Sequence, residues 1–230
     1  MMSFILLAAI VFAFSLVGGV FFILALRAIL RAGKKQEAIW QNIAQTFGLI
    51  YTPATFSKST KLVGTFQRVP LQISTFQRIY GSYDSSRRKT FLRVQAWFPS
   101  HHTPQMTIKR ETLLGKLLDS EVKIGDAELD RLLLINGPDS AAIHKLLNHP
   151  DVKSALLDTF RRASSQTNIK IEGNSILLIT PNGFSEDAIS LHISRCVLVA
   201  QAIANAAEEL LAPEPAPAEV STPEAAFDAW

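Results

Sequence analysis

Three carboxylates at alternate positions, Asp126, Glu128 and Asp130, and the adjacent pair His101-His102 are the residues in this chain whose types and spacing could do chemistry. Carboxylates that converge with an imidazole can activate water for hydrolysis or hold a metal, so the sequence admits a hydrolase or metalloenzyme built on Asp126, Glu128 or Asp130. The three would share one face of an extended chain, whereas in a helix only Asp126 and Asp130 would do so. The surrounding stretch, EVKIGDAELDRLLLINGPD from Glu121 to Asp139, carries five acidic residues around an apolar block. It is not a calcium loop of the EF-hand type, because Lys123 stands where the third ligand of the series from Asp119 would be. Gly125-Asp126 reads as a turn, LDRLLLING as a buried strand emerging from it, and Arg131 as a counter-charge for nearby carboxylates. The acidic cluster is then the solvated rim of a turn, which is scaffolding rather than an active site.

No other constellation carries a reaction. His144 and His149 lie five residues apart across a predicted helix end and His192 falls near the seam of the last helix, with no HExxH or Cys-rich spacing to make a zinc site. The single cysteine, Cys196, sits at an apolar helix position and reads as core packing. There is no GxSxG, no P-loop and no GxGxxG followed by an acidic residue, so nothing assigns catalytic, cofactor-binding or metal-ligating residues. The expectation is a binding module, not an enzyme, with no cofactor.

Two features suit binding. Arg87, Arg88 and Lys89, flanked by Tyr80 and Tyr83 in the polar connection GSYDSSRRK, form a basic patch that could touch anionic lipid. A lipid-binding module requires this patch and the membrane-proximal helix to lie on one side of the domain. Phe227 and Trp230, two aromatics in an acidic Pro/Ala-rich tail, could dock on a protein partner.

The elements that must position these residues begin with a span. Phe4 to Leu26 is uncharged, and a helix of that length crosses about 30 Å of hydrocarbon. Nothing basic precedes it and Ala25-Leu26-Arg27 is a poor cleavage site, so it reads as a retained anchor rather than a signal peptide. Arg27, Arg31, Lys34 and Lys35 follow it and put the bulk of the chain in the cytoplasm. Cys196, with no partner for a disulfide, agrees with a reducing compartment. The net charge of +3 divides unevenly: the segment 1–35 carries four basic and no acidic residues and the tail 212–230 four acidic and no basic ones, leaving 19 basic against 16 acidic in 36–211. A nucleic-acid partner, which needs a strongly basic face, is not expected.

After the anchor, Trp40, Ile43 and Phe47 recur at helical spacing and Gly48 ends the helix, with Trp40 packing in the core. GLIYTP, KLVGTFQ, VPLQISTFQRIY, KTFLRVQAWFP and QMTIKR read as strands of an antiparallel meander. The tetrapeptide TFQR recurs at Thr65–Arg68 and Thr75–Arg78, which similar patterning in neighbouring strands explains. Helices follow with Pro138 and Pro150 in their first turns, then a hairpin turning near Gly173-Asn174. Ser185 caps a last helix to about Leu211, with a seam of Ile189, Ile193, Cys196, Ala200, Ile203, Ala207 and Leu210 that packs on the domain's own sheet. The fold class is α+β: an anchor over 1–35, one globular domain over 36–211 with an antiparallel sheet packed against helices, or a half-open barrel closed by the last helix, and a disordered tail over 212–230.

The order of span, basic flank, W-x-x-x-A-x-x-x-G-L-x-Y (Trp40 to Tyr51), strands, and IGDAELDRLLLINGPDSAAIHKLL with a downstream hairpin resembles bacterial single-span membrane proteins grouped as domains of unknown function. That resemblance implies a bacterial inner-membrane protein with a single α+β domain, and an acidic turn that leads into a central strand. It supplies no activity. The expected partners are the bilayer, through residues 4–26, and a protein or anionic lipid.

Overall fold

The computed structural model of the protein describes residues 27, 31, 33–55, 59–80, 87–99, 103–111, 122–181 and 185–211. The apolar run Phe4–Leu26, His101, His102, Phe227 and Trp230 lie outside the described residues.

Helix α1, over residues 33–47, buries Trp40, Ile43, Ala44 and Phe47 on one face. Gly48 stops it at φ +64°, a left-handed conformation that suits glycine, and lets the Leu49 amide bond back to the Ala44 carbonyl at 2.8 Å. Strands β1 (Ile50–Thr52), β2 (Lys61–Phe66), β3 (Val69–Tyr80) and β4 (Arg87–Trp97) form the expected meander, whereas β5 (Met106–Arg110), expected as its fifth strand, does not pair with β4 and lies in the far part of the sheet. The acidic stretch departs from the expected strand. Its first half is a short helix, α2 (Ala127–Leu132), and only Leu133–Asn136 is strand, β6. The reason is Asp126, whose side chain accepts from the Glu128 and Leu129 amides and so nucleates the helical turn. Helices α3 (Ser140–Leu147) and α4 (Pro150–Arg161) come next. Pro150 opens α4 as expected, but Asp139 is the N-cap of α3 and Pro138 stands outside it. The hairpin β7 (Asn168–Glu172) and β8 (Ser175–Pro181) turns through Gly173, and α5 (Glu186–Leu211) begins after Ser185, whose hydroxyl accepts from the Ala188 amide.

The sheet is antiparallel throughout, in the order β1-β2-β3-β4-β8-β7-β5-β6, and among the described strands β1 and β6 are its two unpaired edges. Period-two alternation gives it one apolar face. Leu62, Leu71, Ile73, Leu92, Val94, Ile176 and Leu178 all point there and join the helices in one core. Helix α5 lies along this face: Ile189, Ile193, Cys196, Ala200, Ile203 and Ala207 are buried, and the helix packs on β4, β8 and β3 as well as on α3 and α4. Among the described residues α5 is the one helix that is long and apolar enough to cross a membrane. Its buried seam makes it the core helix of this domain. Trp40, at 1% exposure, is a core residue too.

The two TFQR copies have different roles. In the first, Gln67 (φ +49°) and Arg68 (φ +68°) make the two-residue turn between β2 and β3, whereas the second lies inside β3. Similar strand patterning therefore does not explain the recurrence.

One turn fixes the junction of β6 and α3. A Cβ on Gly137 would sit 2.5 Å from the Gln105 carbonyl oxygen and 2.5 Å from Ile143 Cδ1. Gly137→Ala is therefore expected to destabilise the domain by about 1–3 kcal/mol, through overpacking against backbone that cannot yield. A urea unfolding curve followed by tryptophan fluorescence checks this, and an unchanged midpoint would show that the junction relaxes freely.

Candidate functional site

The acidic stretch is committed to the fold. Asp126 caps α2 and forms an ion pair with Lys153 of α4, and Glu128 accepts from Arg161 Nη2 at 2.7 Å and Nε at 3.2 Å. Asp130 accepts from the amides of Ile124 at 2.8 Å and Gly125 at 3.0 Å, holding the turn that precedes it. The hydrogen bond from Lys153, then that from the Leu129 amide, holds the Asp126 carboxyl below the usual carboxylate range. These carboxylates staple α2 to α4 and close a turn. His101 and His102, their proposed catalytic companions, lie outside the described residues.

The remaining candidates are dispersed. His149 Nε2 is 3.3 Å from Glu209, and His144 contacts Asn148 on its own helix. His192 has its pKa lowered by burial and then by Arg195. Among the described residues no three His, Cys, Asp or Glu side chains gather to hold a metal. Cys196 is fully buried against the Val94 carbonyl, and burial pushes its thiol up to about 12, far from a nucleophile's range.

Arg87, Arg88 and Lys89 are not in a loop, as the sequence suggested. They open β4 and pair with Tyr80, Ile79 and Arg78 of β3. Strand β2 accompanies β3 only from Val69 to Ser74, and β8 accompanies β4 only from Phe91 to Trp97. The outer parts of β3 and β4 therefore project as a two-stranded arm. Its face away from the helices carries Phe76, Arg78 and Tyr80 opposite Phe91, Lys89 and Arg87. The Phe76 and Phe91 rings stack at 5.5 Å, the Arg78 guanidinium lies 5.3 and 5.4 Å from their centroids, and Arg93 lies 4.8 Å from Phe76. Stacking of this kind stiffens an arm that has no further strand on either side. The other face presents Ile79, 65% exposed, beside Arg88. Lys89 donates to Gln166, and among the described residues no carboxylate pairs with Arg78, Arg87, Arg88 or Lys89.

The direction of α1 decides where this arm faces. Phe47, at the end of α1, packs edge-on to Phe66 at 4.8 Å, and Phe66 pairs with Val69 at the start of β3. Gly33 and Trp40, nearer its beginning, wall a cleft together with Thr75, where the arm departs from the sheet. Helix α1 thus runs antiparallel to β3, and its first residues lie at the arm's end of the domain. Arg27, Arg31, Lys34 and Lys35 are exposed there, at the end that leads back to the apolar run. The basic flank and the arm share one end.

Sequence reasoning missed the aromatic–cation stack. Its signal was available in the alternation of Phe76, Arg78 and Tyr80 with the matching Lys89, Phe91 and Arg93.

The fold and this end define a class: an open-faced α+β domain with a basic, aromatic arm beside its amino-terminal helix. No protein-family model and no curated protein matches the sequence. Among solved structures, the crystal structure of the mycobacterial trehalose monomycolate transport factor A is similar at a TM-score of 0.45 and 10% identity, covering 80% of this chain and 97% of that one.

The committed side chains can be tested directly. Asp126→Asn keeps a capping oxygen but removes the charge facing Lys153. Because the folded carboxyl is held low, its contribution exists above the ordinary carboxylate value and is lost as pH falls through the folded one. The variant is expected to be less stable at neutral pH and to converge on the natural protein in acid. A difference that ignores pH would rule out the pairing as its cause. The Cys196 thiol is expected to be inert to a disulfide reagent at mildly alkaline pH in the folded protein and to react once urea unfolds it; prompt labelling without denaturant would contradict its burial.

Proposed function

We propose that this protein is a bacterial inner-membrane module, anchored by the apolar run Phe4–Leu26, whose cytoplasmic α+β domain binds anionic lipid or a protein partner instead of catalysing a reaction. The observation that carries the reading is the antiparallel alignment of α1 on β3, which brings Arg27, Arg31, Lys34 and Lys35 to the same end as the arm. A domain tethered at that end presents Arg87, Arg88, Lys89 and Arg78 to the bilayer surface, where each basic residue contributes about 1 kcal/mol against an anionic leaflet. Ile79 and Tyr80, exposed at 65% and 39%, add apolar contact at the headgroup level. The reading of the chain as non-catalytic is supported by the commitment of Asp126, Glu128 and Asp130 to structural contacts. Phe227 and Trp230 remain the candidate anchors for a protein partner.

The test places an environment-sensitive dye at the arm. In full-length protein carrying Cys196→Ala and Ile79→Cys, the dye is expected to emit further to the blue in nanodiscs rich in phosphatidylglycerol than in discs of phosphatidylcholine alone. Arg87→Ala, Arg88→Ala and Lys89→Ala together are expected to abolish the difference, as is high salt. Identical emission in both kinds of disc would end the lipid-facing reading.

A further inference from the structure

The end of the sheet from which the arm projects is basic beyond the arm itself. Strand β8 reaches the arm's base at Pro181, opposite Phe91, and β7 and β5 meet at the same end, where Asn168 pairs with both Ile179 and Lys109. Helix α4 also finishes there, so the turn over residues 162–167 that joins it to β7 stands beside the arm. The Gln166 side chain accepts from Lys89 and ties the turn to the arm. Lys89 lies two residues into β4 from Arg87, about 7 Å along the strand, so the turn reaches nearly as far out as the arm does.

The turn presents cations. Arg162, Ser164, Ser165 and Gln166 are exposed, as is Lys109 on a neighbouring strand, while Ala163, the turn's one apolar residue, is buried. The carboxyl end of a helix carries partial negative charge, which would repel an anionic surface. Here the Arg110 guanidinium donates to the Ala163 carbonyl at 2.5 Å and Arg162 is the C-cap residue, so cations offset that end of α4. The acidic side chains nearby are paired or face inward. Glu128 is held by Arg161, Asp130 by two backbone amides, and both Glu111 carboxylate oxygens are closed to solvent. Strands β7 and β5 lie two and three strand spacings from β4, roughly 10 and 14 Å. A contact at that distance would stop the domain from pivoting on the arm alone.

We propose that the turn between α4 and β7, with Lys109 beside it, is a second place of contact with an anionic lipid surface, so that the domain meets the bilayer on the arm and the turn together. The inference rests on the membrane-facing reading of the arm and adds to it the rotation of the domain about its tether. The composition of the turn suits headgroups rather than acyl chains, since it offers cations, two hydroxyls and an amide. At physiological ionic strength an exposed charge acts over about 8 Å, which spans the step between the arm's first residues and the turn. The opposite end of the sheet is out of range, because β8 runs six residue steps from Pro181 back to Ser175, about 20 Å. Asn174, exposed beside Ser175, marks that far end.

The experiment uses full-length protein with Cys196→Ala and the dye at one of three positions: Ile79→Cys on the arm, Ser165→Cys on the turn, or Asn174→Cys at the far end. Each is read in nanodiscs rich in phosphatidylglycerol and in discs of phosphatidylcholine alone. A blue shift with phosphatidylglycerol is expected at positions 79 and 165 and not at 174. Lys109→Gln with Arg162→Gln is expected to lower the ratio of lipid-contacting to solvent-exposed emission at 165 roughly thirtyfold, the share of two basic residues near the surface, while the shift at 79 persists. Lys109→Arg with Arg162→Lys is expected to keep the shift at 165, which separates charge from any effect on folding. The second contact is overturned, and the arm reading left standing, if 79 responds while 165 is silent or 174 shifts equally. It is overturned in the same way by a shift at 165 that survives the glutamine pair or is lost in the charge-conserving one. Silence at 79 rejects the membrane-facing reading, and the two-place contact falls with it.

Discussion

The β4–β8 ladder is the constraint on which the rest of the domain depends. Pairing from Phe91 with Pro181 to Trp97 with Ser175 is the only ladder, among the described strands, that joins the meander β1–β4 to the group β8-β7-β5-β6. Helix α5 lies across this junction, with the Cys196 thiol against the Val94 carbonyl. A residue larger than cysteine there would push the helix off both halves at once. Small residues along the same seam, Ala200, Ala206 and Ala207, allow the close approach that makes α5 a core element despite a composition that would suit a membrane. The ladder also sets the arm's length, because β8 stops at Pro181 and leaves Arg87 to Thr90 without a neighbour on that side.

How much of this was legible depends on whether local signals or distant partners decided each element. Gly48, Pro150, Ser185 and Gly173 act through their own backbone or that of adjacent residues, so their roles could be read from the chain. Alternation in β4 likewise announced a one-sided sheet. Asp126 was the misleading case. Its cap bonds to Glu128 and Leu129 turn LDRL into a helix, although the apolar run favours a strand. Which cations pair with which carboxylates was not legible, because Lys153 and Arg161 reach α2 across more than twenty residues of sequence. Nor was the arm, since its extent is set by where β2 and β8 end. The cleft, too, depends on how α1 leaves the sheet, a tertiary property with no local signature beyond the polar residues at 36 and 37.

The two charged regions differ in what holds them. Around α2 and α4 each cation named has a carboxylate in the fold, and the contacts are short-range staples that leave little charge to act outward. On the arm, Arg78, Arg87, Arg88 and Lys89 stand close together with no carboxylate among the described residues. Like charges directly opposite on paired strands repel, as Arg78 and Lys89 must. The aromatic stack offsets that repulsion within the arm by seating Arg78 over Phe76 and Phe91, which stabilises the cation without neutralising it. Ile79 is exposed on the helix-side face of the same arm. Charge and apolar exposure at one end, with ion pairing completed within the fold around α2 and α4, give the domain a direction, and that direction matches the end from which its basic flank emerges.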